Sequence, residues 1–270
     1  MDLLIGQDTE LFLKHNNSFV SAYGLIPGNK ANPYPVKKGA VQVDGMALEI
    51  NTVPAKTFTQ FKTNINTVLS RLQEMIPDNM EMTVCASADF DPKYLDEQPE
   101  EAKRMGCDPD YNAYTGEMNI PPEEHPSMRT ASGHIHLGWT QNKDIYDPVH
   151  VADCCNMAKQ LDLYLGIPSL FHDKDIKRRE MYGKAGAFRP KHYGLEYRVL
   201  SNYWITQEKY MKEVFDFTRK AFNDMEKGVN WNEKLLQENS HFDIEAIINE
   251  YDLGAAMSIL EFMRLRIVRD

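Results

Sequence analysis

The chain has 270 residues, of which 42% are apolar and 26% charged, a globular balance that excludes disordered, collagen-like and coiled-coil classes. Lysine and arginine total 30 against 40 aspartate and glutamate, and the net charge of −10 disfavours nucleic acid as a partner, because a phosphate-backbone binder presents a basic surface. No stretch approaches the roughly 20 apolar residues of a membrane span, and the opening MDLLIGQDTELF has no basic region ahead of an apolar run, so neither a membrane segment nor a signal peptide is expected.

In chain order, residues 3–13 and 40–52 read as strands, with Gly45 as a turn or bulge in the second. Residues 57–76 carry Phe58, Phe61, Ile65, Val68, Leu69 and Leu72 at spacings of three and four, which predicts an amphipathic helix. Residues 80–90 form a third strand. Residues 91–127 hold Pro92, Pro99, Pro109, Pro121, Pro122 and Pro126 and read as an irregular excursion, a length of loop that often shapes the mouth of a site. A strand at 130–139, a helix at 147–165 and a strand at 195–203 follow. Helices at 207–227 and 243–263 close the chain, the last interrupted at Gly254.

Early strands lying close together predict an α+β fold with an antiparallel or mixed sheet. One domain is expected, with a core over 3–204 and a helical part over 205–270. No GxGxxG or P-loop follows any strand, so neither familiar nucleotide cradle is present. Cys85, Cys107, Cys154 and Cys155 form no CxxC pair and read as reduced thiols of a cytoplasmic protein.

The chemistry lies in polar pairs at strand spacing. Residues i and i+2 of a strand share a face. Asp8 and Glu10, Gln42 and Asp44, Glu49 and Asn51, His134 and His136, and Glu196 and Arg198 are such pairs, with Leu48, Ile50, Ile135, Leu137, Tyr197 and Val199 on the opposite sides. Any one pair is ordinary for a solvated strand. Together they predict a sheet face that gathers carboxylates, imidazoles and a guanidinium. Carboxylates so crowded repel unless cations bind between them, and oxygen-rich sites suit Mg²⁺ or Mn²⁺ beside substrate phosphates. The run 177–198 adds Arg178, Arg179, Lys184, Arg189 and Lys191, with Gly183, Gly186 and Gly194 for close backbone approach. Arginine there suits phosphate oxygens by bidentate hydrogen bonding. A zinc or manganese amide hydrolase using His134 and His136 is the alternative from another class. A hydrolase of small amides does not need the cationic run before Glu196.

GQDTELFL, VDGMALEIN, TASGHIHLGW and RPKHYGLEYRVLSNYW, in this order over about residues 3–204, resemble the phage-type carboxylate–amine ligases, type 2. That family belongs to an amidoligase superfamily similar to glutamine synthetase and glutamate–cysteine ligase. GCDPDYNAYTGE, residues 106–117, resembles a family insert. The resemblance implies a curved antiparallel sheet flanked by helices, and ATP-dependent joining of a carboxylate to an amine through an acyl phosphate. It implies Asp8, Glu10, Glu49, His134 and Glu196 as metal ligands, with Asp8 standing where Glu is commoner. It implies His136, Arg189 and Arg198 at the nucleotide phosphates or the reacting carboxylate, Arg179 and Lys184 as further nucleotide contacts, and Arg189, Glu196 and Arg198 as the catalytic set. The group that takes the amine's proton is open, with Asp44 and Glu117 as candidates. The resemblance implies small-molecule or peptide carboxylates and amines as substrates, and the acidic balance favours a cationic amine. Oligomer formation stays open, and a phage-encoded chain would act in the host cytoplasm.

Overall fold

The computed structural model describes residues 2–104, 110–120, 127–238 and 241–268. Strands are β1 (Leu4–His15), β2 (Ser18–Val20), β3 (Tyr34–Val36), β4 (Gly39–Asp44), β5 (Ala47–Thr52) and β6 (Glu81–Thr83). There follow β7 (Ser87–Asp89), β8 (Tyr111–Asn112), β9 (Met128–Thr130), β10 (Gly133–Gly138), β11 (Ala187–Lys191) and β12 (Gly194–Tyr197). The main sheet runs β3-β4-β5-β1-β10-β12-β11-β8, and the far end of β1 pairs instead with β2 and β6. Its strand pairs are antiparallel, so the expected α+β class holds. β7 and β9 form a separate ribbon.

One face of the sheet is apolar. Ile5 and Leu11 of β1, Val41 of β4, Leu48 and Ile50 of β5, Ile135 and Leu137 of β10, and Leu195 and Tyr197 of β12 are all buried there. The helix Phe58–Gln73 covers β4 and β5 through Phe61, Ile65, Val68 and Leu72. Thr57 caps it by accepting from the Gln60 amide, which satisfies one of the donors left over at a helix start. The helix Pro148–Leu161 covers β11 and β12, and Glu208–Glu226 packs across both helices. The same apolar cluster continues into Ile248, Ala256, Ile259 and Leu260 of the last two helices. A smaller cluster, with Phe12, Met46, Phe90 and Leu95, walls one end of the opposite face beneath the β7–β9 ribbon.

Four local expectations change, the first being the strand expected at 195–203, which ends at Tyr197 and is followed by a 3₁₀ turn over Asn202–Ile205. The break within 243–263 falls at 250–252, where Tyr251 has φ +62°, and not at Gly254, which lies inside the helix Leu253–Met263. Asp252 accepts from the Ala255 amide and so starts that helix, which makes the break a capping device and not a glycine effect. Residues 91–127 are not structureless: helices Pro92–Asp96 and Glu100–Lys103 form there, the first capped by Asp91 with Pro92 in its opening turn. Residues 105–109 and 121–126 lie outside the described residues, and Cys107 with them. Residues 80–90 divide into β6 and β7, and the strand expected at 130–139 runs as β10 from Gly133 to Gly138 with β9 (Met128–Thr130) before it, because β7 and β9 leave the main sheet to pair with each other. Cys85, Cys154 and Cys155 are free thiols, and burial pushes Cys85 to about 11 and Cys154 to about 12.

The helix Pro148–Leu161 runs into a π-helical turn, Asp162–Gly166. There the buried Asp162 carboxylate accepts from the Tyr197 hydroxyl at 2.6 Å, the Tyr114 hydroxyl at 2.9 Å and the Gly186 amide at 2.7 Å. Burial pushes its carboxyl up to about 7 despite these donors. The folded value lies above the unfolded one near ~3.9, so the stability it contributes is full below about pH 4 and is lost as pH rises through 7. Asp162→Asn should therefore gain stability relative to the parent between pH 4 and 7. The gain is bounded near ~4 kcal/mol at ~1.36 kcal/mol per pH unit. Urea unfolding of both proteins across that range checks it; parallel profiles would remove the argument.

Candidate active site

Antiparallel register turns the sequence pairs into one surface. Asp8 lies opposite both His134 and Asn51, and Glu10 opposite Glu49. Glu49 lies opposite Gln42, His136 opposite Glu196, and Glu196 opposite Arg189. Directly opposed residues share a face, so these side chains all leave the sheet on the side away from the helices Phe58–Gln73 and Pro148–Leu161. There they line a cavity of about 390 Å³.

Two carboxylate clusters form within it. Asp8, His136 and Glu196 bring ligand atoms within 4.8 Å of one another, and so do Glu10, Asp44 and Glu49. In the first, Asp8 accepts from His134 Nδ1 at 2.8 Å, and its other oxygen is 3.1 Å from His136 Nε2. That second contact lacks hydrogen-bond geometry, which leaves His136 Nε2 a buried nitrogen without a hydrogen bond. The Tyr193 hydroxyl lies 2.5 Å from His136 Nδ1 and fixes the ring, with Nε2 turned to the carboxylates. In the second cluster the Ser132 amide donates to Glu10 at 2.6 Å and Gln42 donates to Glu49 at 2.8 Å.

The charges follow from these neighbours. Burial opposes ionisation of Asp8, but His134 and His136 outweigh it and hold the carboxyl well below the usual range. Burial likewise opposes Glu196, yet Arg198 leads a set of cationic neighbours that keep it ionised. Glu10 is pushed up to about 8 by burial and by Asp44, and Glu49 well above its usual range by burial and by Asp8. Burial and Arg198 press His134 down to about 4, whereas Asp8 overcomes burial to raise His136.

Cations gather on Glu196. Lys191 Nζ is 2.7 Å and Arg189 Nη1 3.4 Å from it, and Arg198 Nη1 makes a close ion pair with it. Arg198 Nε donates to Asp110 at 2.9 Å, and its guanidinium carbon lies 5.8 Å from the Tyr182 ring centroid. Lys30, Arg104 and Arg129 line the same cavity. Although the chain carries −10, this cavity mixes carboxylates with six cationic side chains, which weakens the argument for a cationic amine from net charge.

A hard divalent cation fits these residues. The Glu10–Asp44–Glu49 set is all oxygen, and two of its members resist ionising without a positive charge nearby. The Asp8–His136–Glu196 set adds one imidazole.

Asp8, Glu10, Glu49, His134, His136, Arg189, Glu196 and Arg198 all line the cavity. Within it His136, not His134, joins the tight ligand group, and Asp44 takes a place beside Glu10 and Glu49. Arg179 and Lys184 do not reach this face. Arg179 is buried with Nη2 on Ser169 Oγ at 2.7 Å, and Lys184 is exposed. Glu117 is exposed on the hairpin after Asp110 and is not part of the lining. Lys191 could be read from its spacing of two from Arg189, but nothing local marks Asp110 or Tyr193.

Residues 126–240 match the family described as Phage phiEco32-like COOH.NH2 ligase-type 2. The match takes in the His134 strand, Arg189, Glu196 and Arg198, and it is the family that the sequence motifs resemble. No curated protein matches the chain. Among solved structures, a bifunctional glutathione synthetase from Pasteurella multocida is similar at 12% identity and a TM-score of 0.43, over 97% of this chain and 49% of that one. The chain thus spans about half the length of that protein. A GmaS/ADP complex is similar at 10% identity and a TM-score of 0.33, over 97% of this chain and 68% of that one.

Proposed function

We propose, from the family matched over residues 126–240, that the protein is an ATP-dependent carboxylate–amine ligase working on the polar face of its sheet. The observation that carries this reading is the register that sets two carboxylate clusters beside Arg189, Lys191 and Arg198 in one cavity. A nucleotide triphosphate needs that combination, because its charge must be met both by cations and by guanidinium forks. A hydrolase of small amides has no use for the cations on Glu196.

A carboxylate is a poor acyl donor because oxide would have to leave. Transfer of the γ-phosphoryl group of ATP to the carboxylate oxygen releases ADP and forms an acyl phosphate. The amine then attacks the carbonyl, and inorganic phosphate departs. Mg²⁺ or Mn²⁺, held by Asp8, His136 and Glu196 and by Glu10, Asp44 and Glu49, would supply charge neutralisation at the phosphates. Arg198 is aimed by Asp110 and Glu196, so its fork is fixed before the phosphoryl group moves. Arg189 and Lys191 approach from the neighbouring strand and meet the same charge. Tyr193 holds the His136 ring. The substrates are a carboxylate and an amine, small molecules or peptides.

Hydroxylamine should replace the natural amine, since an acyl phosphate is electrophilic enough to be trapped by it. With ATP, Mg²⁺ and pooled carboxylates, hydroxamate should accumulate in step with inorganic phosphate. Release of AMP and pyrophosphate would instead mean adenylation and would end the acyl-phosphate mechanism.

A further inference from the structure

Arg178 sits behind the cavity and does not line it. It is 1% exposed, on the short helix Lys177–Met181. Its fork reaches two separate parts of the chain. Nη1 donates to the Val199 carbonyl at 2.8 Å, and Nη2 to Ser132 Oγ at 2.9 Å and the Arg198 carbonyl at 3.4 Å. Ser132 in turn donates its amide to Glu10 at 2.6 Å and accepts from the Glu10 amide at 2.9 Å. One planar group therefore braces both the residue that holds Glu10 and the backbone that carries Arg198.

The chain makes room for this group. Gly183 has φ +70°, a conformation that disfavours side chains, and a Cβ there would lie 2.1 Å from Arg178 Nη1 and 2.7 Å from its Cζ. A side chain at 183 would therefore be strained by the turn and would displace the guanidinium. A lysine in place of Arg178 would present one point charge and could not span Val199 and Ser132 together.

We propose that Arg178 is a positioning residue that couples the two ends of the site, setting Glu10 through Ser132 and Arg198 through its backbone. The inference rests on the proposed function, because it takes Glu10 as a metal ligand and Arg198 as the phosphoryl-facing cation. Groups that orient metal ligands from behind typically contribute ~10–100-fold to metal affinity or activity.

The test measures Mn²⁺ binding by electron paramagnetic resonance on the full chain, beside thermal melting and steady-state kinetics. Arg178→Lys should weaken Mn²⁺ about tenfold or more and lower kcat by a similar factor at saturating metal. The KM for ATP should stay within a few-fold. Ser132→Ala, which removes only the hydroxyl that Arg178 grips, should move Mn²⁺ affinity in the same direction by a smaller factor. It keeps the inference testable if Arg178→Lys fails to fold. Gly183→Ala, which displaces the fork from outside the cavity, should resemble Arg178→Lys. Lys177→Ala, one residue away and exposed, should change nothing. Parent-like Mn²⁺ affinity in folded Arg178→Lys, or in Ser132→Ala, would overturn the inference and leave the proposed function standing. If the parent itself bound no Mn²⁺, the metal reading of the site would fall first and this inference with it.

Discussion

Replacing Arg198 by lysine should lower turnover by about 10² or more, or ~2.7 kcal/mol on the barrier at ~1.36 kcal/mol per decade. The loss follows from geometry and not from charge, which lysine keeps. Arg198 is held at Nε by Asp110 and at Nη1 by Glu196, with the Tyr182 ring beside it. An ammonium group satisfies one of these partners at a time and leaves another carboxylate poorly met. ATP affinity should change by only a few-fold, because the arginine acts on charge that develops during transfer. Thermal melting must accompany the kinetics, since Glu196 and Asp110 are both largely buried and lose a partner. A folded Arg198→Lys protein turning over at the parent rate would show that the catalytic face is elsewhere.

Saturating Mg²⁺ or Mn²⁺ should raise the melting temperature by about 5–10 °C and expel protons. The size follows from ~2.7 kcal/mol at a hundredfold excess over Kd and ~2–4 °C per kcal/mol for a chain approaching this length. The protons come from Glu10 and Glu49. Burial and neighbouring carboxylates hold Glu10 up to about 8 and Glu49 well above its usual range. Glu10's folded value lies above its unfolded one, so its stabilising contribution is complete below about pH 4.5 and is lost as pH rises through 8. The cation reverses that loss, so its stabilisation should be larger at pH 8 than at pH 6. Calorimetry in buffers of differing ionisation enthalpy counts the protons released. Glu49→Gln should abolish the part of the thermal gain that grows between pH 6 and pH 8, and leave the part contributed by Asp8, His136 and Glu196. An equal gain at both pH values without proton release would exclude the Glu10–Asp44–Glu49 cluster as a metal site.

What could be read locally is what depends on nearest neighbours along the chain. The alternation of Asp8 with Glu10, and of His134 with His136, requires only that each segment be a strand, since the side-chain period is then two. The amphipathic helix covering β4 and β5 is written in Phe61, Ile65, Val68 and Leu72 for the same kind of reason. β11 escaped because Arg189, Pro190 and Lys191 carry neither apolar alternation nor strand propensity; pairing to β12 makes it a strand.

Only the tertiary structure could decide which of these groups meet. His134 and Asp8 are 126 residues apart, and their contact exists because β1 and β10 pair in one register; a slip of one residue would turn every such side chain to the helix side. The same register gives His136 to Glu196, while the β4–β5 hairpin delivers Asp44 to Glu10 and Glu49. Arg178 and Arg179 are adjacent in sequence yet part company: one fork braces Ser132 behind the cavity, and the other is buried on Ser169. Composition marked the run 177–198 as cationic, but which cations face the cavity depends on the turn of a five-residue helix against a sheet assembled from distant strands. Local sequence sets the face of each strand; the packing of strands far apart in the chain sets the chemistry of the surface they share.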